Sequence, residues 1–234
     1  MARSRSFFIT GTDTGSGKTF ITAGLARVAR DNGDEVGVMK PVETGCARED
    51  GALVPKDAVA LRDAALCSAP LDTINPYRLR LPLSPNLAAR LEGTEISLAL
   101  IKERYEELAD VHDIVLVEGA GGLLTPVTDE KTMADLALLL NLPVIIVAVS
   151  RLGAINHASL TVECARMRGL EAAGIILNNA TPPGDEPDRA YNRREIERAT
   201  NLPVFGEVPF AGGQKKDAPF TEGGVFDSLY DAIF

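Results

Sequence analysis

The stretch Ser6-Phe7-Phe8-Ile9-Thr10, followed by Gly11-Thr12-Asp13-Thr14-Gly15-Ser16-Gly17 and then Lys18-Thr19, constrains this chain more than any other feature. The first five residues read as a strand, and the glycines mark a tightly bent backbone. Apolar residues at helical spacing, Ile21, Leu25 and Val28, then continue as a helix that Gly33 stops. Strand, glycine loop and helix in that order cradle a phosphate. Backbone N–H groups of the loop and helix end face the anion, a lysine supplies charge for its β and γ oxygens, and a hydroxyl is ready for Mg²⁺. The spacing is a variant, because the usual GxxxxGK[ST] puts its leading glycine at position 12, whereas here Gly11 stands one residue earlier.

Four further runs are apolar on nearly every residue: 35–40, 113–119, 143–150 and 174–179. Helical patterns separate them, among them 55–66, 97–111 and 153–168. Strands that are apolar on both faces belong in a parallel sheet covered by helices. The expectation is therefore an α/β fold, a doubly wound, mainly parallel sheet flanked by helices and P-loop NTPase-like, with residues 1–234 forming one domain. The polar, proline-rich segment 181–190 is the candidate mobile loop.

Composition removes several classes of function. With 45% hydrophobic residues and no apolar run of about 18 residues, no membrane span is expected. The basic opening runs straight into a strand, so no signal peptide is expected. Cys46, Cys67 and Cys164 are odd in number and widely spaced, which fits neither a disulfide framework nor a zinc site and points to the cytoplasm. A net charge of −9 does not suit a nucleic-acid partner.

Two more constellations carry chemistry. Glu118 ends the apolar run DIVLVEG and precedes Gly119-Ala120-Gly121, where an acid beyond a strand end can reach a metal on a nucleotide. Lys40, at the end of the second strand, stands on the same sheet edge with Thr44 four residues on, so it is either a solvated lysine or a fixed cation for a developing charge. Asp57 reads as an acid complementing a helix dipole. Asn178 and Asn179 read either as strand terminators or as amides facing an adenine edge.

Taken together and in order, GTDTGSGKT, VMKPVETG, VEGAGG, LNNATPPG and GEVPF resemble the dethiobiotin synthetases over nearly the whole chain. That family also uses the longer glycine loop. The resemblance implies closure of a cyclic urea on 7,8-diaminononanoate with CO2 and ATP, by a homodimer whose active sites are shared between subunits. It makes Lys18 and Lys40 the catalytic cations, and Thr19, Asp57 and Glu118 the Mg²⁺ ligands. The ATP site would comprise Gly15, Ser16, Gly17, Lys18, Thr19, Phe20, Asp57, Glu118, Gly119, Ala120 and Gly121, with an adenine pocket from Asn178, Asn179, Pro209, Phe210 and Ala211. Thr14 and Thr44 would contact the diamine and its carbamate, while Gly153, Asn156 and Tyr191 would hold the substrate's carboxylate tail from the neighbouring subunit. Gly15 stands where many members have an acid, and Thr44 where serine is common.

Two rivals share the fold. Another P-loop amide ligase would bring a glutaminase domain, for which the chain shows no nucleophile motif. A nucleotide-switched partition or division-site ATPase typically carries a second lysine early in the loop, where this sequence has Asp13, and the tail FDSLYDAIF is too short and acidic for an anionic membrane.

Overall fold

A computed structural model describes residues 5–182, 187–211 and 224–234. In chain order these form β1 (Phe7–Gly11), α1 (Lys18–Asp31), β2 (Val36–Met39), β3 (Val42–Thr44), β4 (Ala47–Glu49), β5 (Ala52–Val54), α2 (Lys56–Ala65), α3 (Leu71–Ile74), β6 (Tyr77–Leu79), α4 (Pro85–Glu92), α5 (Leu98–Ala109), β7 (Ile114–Gly122), α6 (Met133–Leu139), β8 (Val144–Val149), α7 (Ala154–Met167), β9 (Ala172–Asn178), α8 (Arg189–Thr200), β10 (Val204–Val208) and α9 (Val225–Ile233).

Six strands make the main sheet in the order β10-β9-β8-β1-β7-β2, every neighbouring pair parallel. Val38, Leu116, Val117, Ile145, Ile146 and Ile176 have no exposed surface, which is what two helix-covered faces demand of a strand. The step from β1 to β2 runs one way along the sheet, and the steps from β7 to β8, β9 and β10 run the other. Right-handed crossovers therefore put α1 on one face and α6, α7 and α8 on the opposite one. Helices α2 and α9 pack against α1. The direction reverses at β1, so a crevice opens beyond the carboxyl ends of β1, β7 and β2, the place where ligands bind in open α/β sheets.

All five expected strands and all four expected helices are present, displaced by at most a few residues. The sixth strand, β10, gives no continuous apolar run, because Gly206 and Glu207 interrupt it. Strand β7 also continues past Glu118 to Gly122. Its register on β1 jumps from Ile9↔Glu118 to Gly11↔Gly122, a bulge that spends the two extra residues beside the glycine loop. Part of the 181–190 loop, residues 183–186, lies outside the described residues.

Candidate active site

The glycine loop leaves β1 and enters α1 through Gly17, the helix N-cap, at φ 91°, a left-handed conformation that favours glycine. Space requires glycine there as well, because a Cβ on Gly17 would lie 2.0 Å from Nδ2 of Asn178. That amide nitrogen donates to the Ser16 carbonyl at 2.9 Å, so the end of β9 braces the loop from behind. Gly11 is equally tight, since a Cβ there would meet Ser16 Oγ at 2.3 Å. The Ser16 hydroxyl itself is buried and has no hydrogen-bond partner.

In front of the loop is a cleft of about 480 Å³. Lys18 Nζ donates to the Asp13 carbonyl at 3.2 Å, which curls the lysine back under the loop. Burial, aided by the charge of Lys40, lowers its pKa to about 8. Thr19 Oγ1 donates to Glu118 Oε1 at 2.9 Å. The same carboxylate oxygen accepts from Lys40 Nζ, whose second partner is Asp57 Oδ2 at 3.1 Å. Lys40 is 4% exposed and Glu118 has no exposed surface. Burial works against the Lys40 ammonium, but Glu118 and Asp57 together outweigh it and raise its pKa above the ordinary lysine value. Lys40 is thus a fixed cation, and the alternative of a solvated strand-end lysine falls away.

Two further residues hold these groups. Asn75 is fully buried and donates to the Lys40 carbonyl at 2.6 Å. Glu43 is 6% exposed and accepts from the backbone N–H groups of Asp57 and Ala58, both at 3.0 Å; burial pushes its carboxyl up.

Three comparisons bear on this arrangement. Residues 5–214 match the family model described as an AAA domain. Over 206 residues the chain is 47% identical to the ATP-dependent dethiobiotin synthetase BioD of Anaeromyxobacter sp. (strain K), an alignment covering 88% of this chain and 90% of that one. The chain belongs to the dethiobiotin synthetase family. Its likeness to the BioD of Bacillus subtilis (strain 168) is 38% over 205 residues, covering 88% and 87% of the two chains. Among solved structures, the MinD cell division protein of Aquifex aeolicus aligns with a TM-score of 0.59 at 14% identity over 97% of this chain and 95% of that one. A ParA family ATPase from Chlorobium tepidum TLS aligns with a TM-score of 0.58 at 16% identity, over 98% of each chain. These two show a shared fold and nothing further.

Within this family member, the residues expected at the site fall into four groups. Thr14, Gly15, Gly17, Lys18, Thr19, Phe20, Lys40, Thr44, Asp57, Glu118, Ala120 and Gly121 line the one cleft. Ser16 and Gly119 lie behind it, Gly119 so close to β1 that a Cβ would meet the Phe8 ring at 2.8 Å. The expected adenine residues stand to one side, at the ends of β9 and β10. There Asn179 N–H donates to the Val208 carbonyl, Asn179 Oδ1 is buried without a partner, and Pro209, Phe210 and Ala211 follow Val208. Gly153 is the N-cap of α7, with Asn156 in the first turn, and Tyr191 lies on α8; Asn156 and Tyr191 are exposed and line no part of the cleft. A larger cleft of about 660 Å³ lies at the opposite end of the sheet, between Tyr105, Leu138, Pro143 and Phe234, and holds none of these groups.

Proposed function

We propose that the chain makes dethiobiotin from 7,8-diaminononanoate, CO2 and ATP in the Lys18–Lys40–Glu118 cleft. The observation that carries the reading is the buried Lys40, held cationic between two carboxylates at the mouth of a phosphate loop in a member of this family. In the proposed sequence one amine attacks the carbon of CO2 and loses a proton, giving a carbamate. A carbamate oxygen then takes the γ-phosphoryl as ADP leaves. The second amine attacks the carbonyl carbon, phosphate departs, and the urea ring is closed.

The protein's part is to position the reactants and balance charge. Lys18, at a pKa of about 8 without a ligand, gains its full charge beside phosphate oxygens. Lys40 is a poor base, since its pKa is raised, and instead faces the charge that builds on the carbamate and the transferring phosphoryl group. Thr14 and Thr44, both on the cleft wall, are assigned to the diamine and its carbamate.

The donor set also suits Mg²⁺. Glu118 Oε2 is buried without a hydrogen-bond partner, and Thr19 Oγ1 and Asp57 converge on the same carboxylate and lysine. When bound, Mg²⁺ would neutralise charge on the phosphate oxygens; Thr19, Asp57 and Glu118 would hold it.

We also assign Asn179 with Pro209, Phe210 and Ala211 to the adenine. Residues 1–234 are read as one domain, working in the cytoplasm as a homodimer. Supporting the dimer, Leu152 and Leu160 are 86% and 62% exposed on either side of Asn156, and Met167, at the far end of α7, is 87% exposed. Gly153, Asn156 and Tyr191 would then meet the substrate tail in the neighbouring subunit. The test is phosphate release from ATP with 7,8-diaminononanoate, bicarbonate present or withheld. Release that needs both is expected, and release indifferent to the diamine would sink the reading.

A further inference from the structure

Helix α2 starts without a cap of its own. Its N-cap is Pro55, which makes no side-chain hydrogen bond. A serine, threonine or aspartate at an N-cap would accept from the N–H of the second or third helical residue, here Asp57 and Ala58. Those two N–H groups are taken instead by Glu43, one carboxylate oxygen each at 3.0 Å. Glu43 lies on β3, three residues after Lys40 and next to Thr44. A buried acid from another element thus does a local cap's work. It also ties the first turn of α2 to the strand that continues from Lys40.

We propose that Glu43 is a positioning residue for the reaction, fixing Asp57 against Lys40 and the Mg²⁺ site by gripping the Asp57 and Ala58 N–H groups. The proposal rests on the reading of Asp57 as a metal ligand. Two charge-assisted bonds to adjacent amides leave that turn little freedom to rotate. The side chain of Asp57 is 43% exposed, so its 3.1 Å approach to Lys40 depends largely on where its backbone is held.

The same bonds also stabilise the helix, and the experiment must separate the two roles. Phosphate release is measured against Mg²⁺ concentration in the wild type, Glu43→Ala, Glu43→Ala with Pro55→Ser, Asp57→Asn, and Glu43→Ala with Asp57→Asn, with Tm recorded for each. Glu43→Ala is expected to lower Tm and to raise the half-saturating Mg²⁺ about tenfold. Pro55→Ser gives the helix a local cap and should recover Tm, while the raised Mg²⁺ requirement persists because the tie to β3 is still missing. Recovery of both would make Glu43 a helix cap only and overturn the proposal. Since Glu43 acts through Asp57, adding Glu43→Ala to Asp57→Asn should shift the Mg²⁺ requirement no further, within about twofold. Additive losses would overturn the proposal too. If Asp57→Asn is crippled while Glu43→Ala behaves as wild type, the proposal fails alone. If Asp57→Asn itself keeps wild-type kinetics, the reading of Asp57 as a metal ligand fails and takes the proposal with it.

Discussion

Lys18 and Lys40 are both lysines at the end of a strand or loop, yet their surroundings push them in opposite directions. Lys18 is buried with only a carbonyl as a close partner and is depressed to about 8; Lys40 is buried between Glu118 and Asp57 and is raised. The first is held ready for an anion and the second already has two. Replacing Lys18 by alanine should reduce turnover by about 100- to 1,000-fold, roughly 3–4 kcal/mol of transition-state stabilisation, as read from steady-state kcat. Near-normal turnover would remove Lys18 from the phosphate site. Thr19→Ala, Asp57→Asn and Glu118→Gln, the last two nearly isosteric, should each raise the Mg²⁺ requirement by about tenfold or more, because they would share one ion. Magnesium titrations that are unchanged in all three would dismiss the metal site. At this scale the sequence was informative where chemistry repeats in a recognisable order, as in GTDTGSGKT and VEGAGG. Glu43 and Asn75 stayed hidden because their partners are backbone atoms distant in sequence. One clue was available: a helix opening on Pro55 has no residue of its own to cap it.

At the level of elements, the fold was legible because parallel strands buried on both faces announce themselves as apolar runs. Short strands and mixed ones do not, which is why β3 to β6 and β10 emerged only in three dimensions. Helix α6 is too short to show a helical period, although Thr132 and Asp135 form a reciprocal capping box at its start. The Thr132 hydroxyl and then its N–H, at 2.6 and 2.8 Å, hold the Asp135 carboxyl below the usual range. A depressed carboxyl stabilises the fold above its unfolded pKa of about 3.9, and that stability is lost as pH falls through the folded value. Asp135→Ala should therefore cost about 1 kcal/mol near pH 7, and the gap should close below about pH 4. Urea midpoints at the two pH values measure it; a gap independent of pH would mean that the charge plays no part.

At the scale of the whole molecule, the proposed substrate site takes residues from two chains. The exposed Asn156 and Tyr191 stand apart from the cleft, so the proposed dimer makes a sharp forecast. An Asn156→Ala, Tyr191→Ala double variant should raise KM for the diamine while ATP affinity barely moves. Mixed with Lys18→Ala, it should regain activity, since a heterodimer owns one site built from intact halves. No recovery, in a mixture shown by mass spectrometry to contain heterodimers, would count against shared sites. The sheet order has a bearing on how the chain reaches its working form at all. Strand β1, which launches the glycine loop, pairs only with β7 and β8, so Phe7 waits for Leu116 and Phe8 for Val144. The glycine loop therefore gains a rigid support only when these pairs, made between segments far apart in sequence, have formed. ATP cannot stabilise a partly folded chain whose β1 is still unpaired, so the slow, long-range part of folding proceeds without that help.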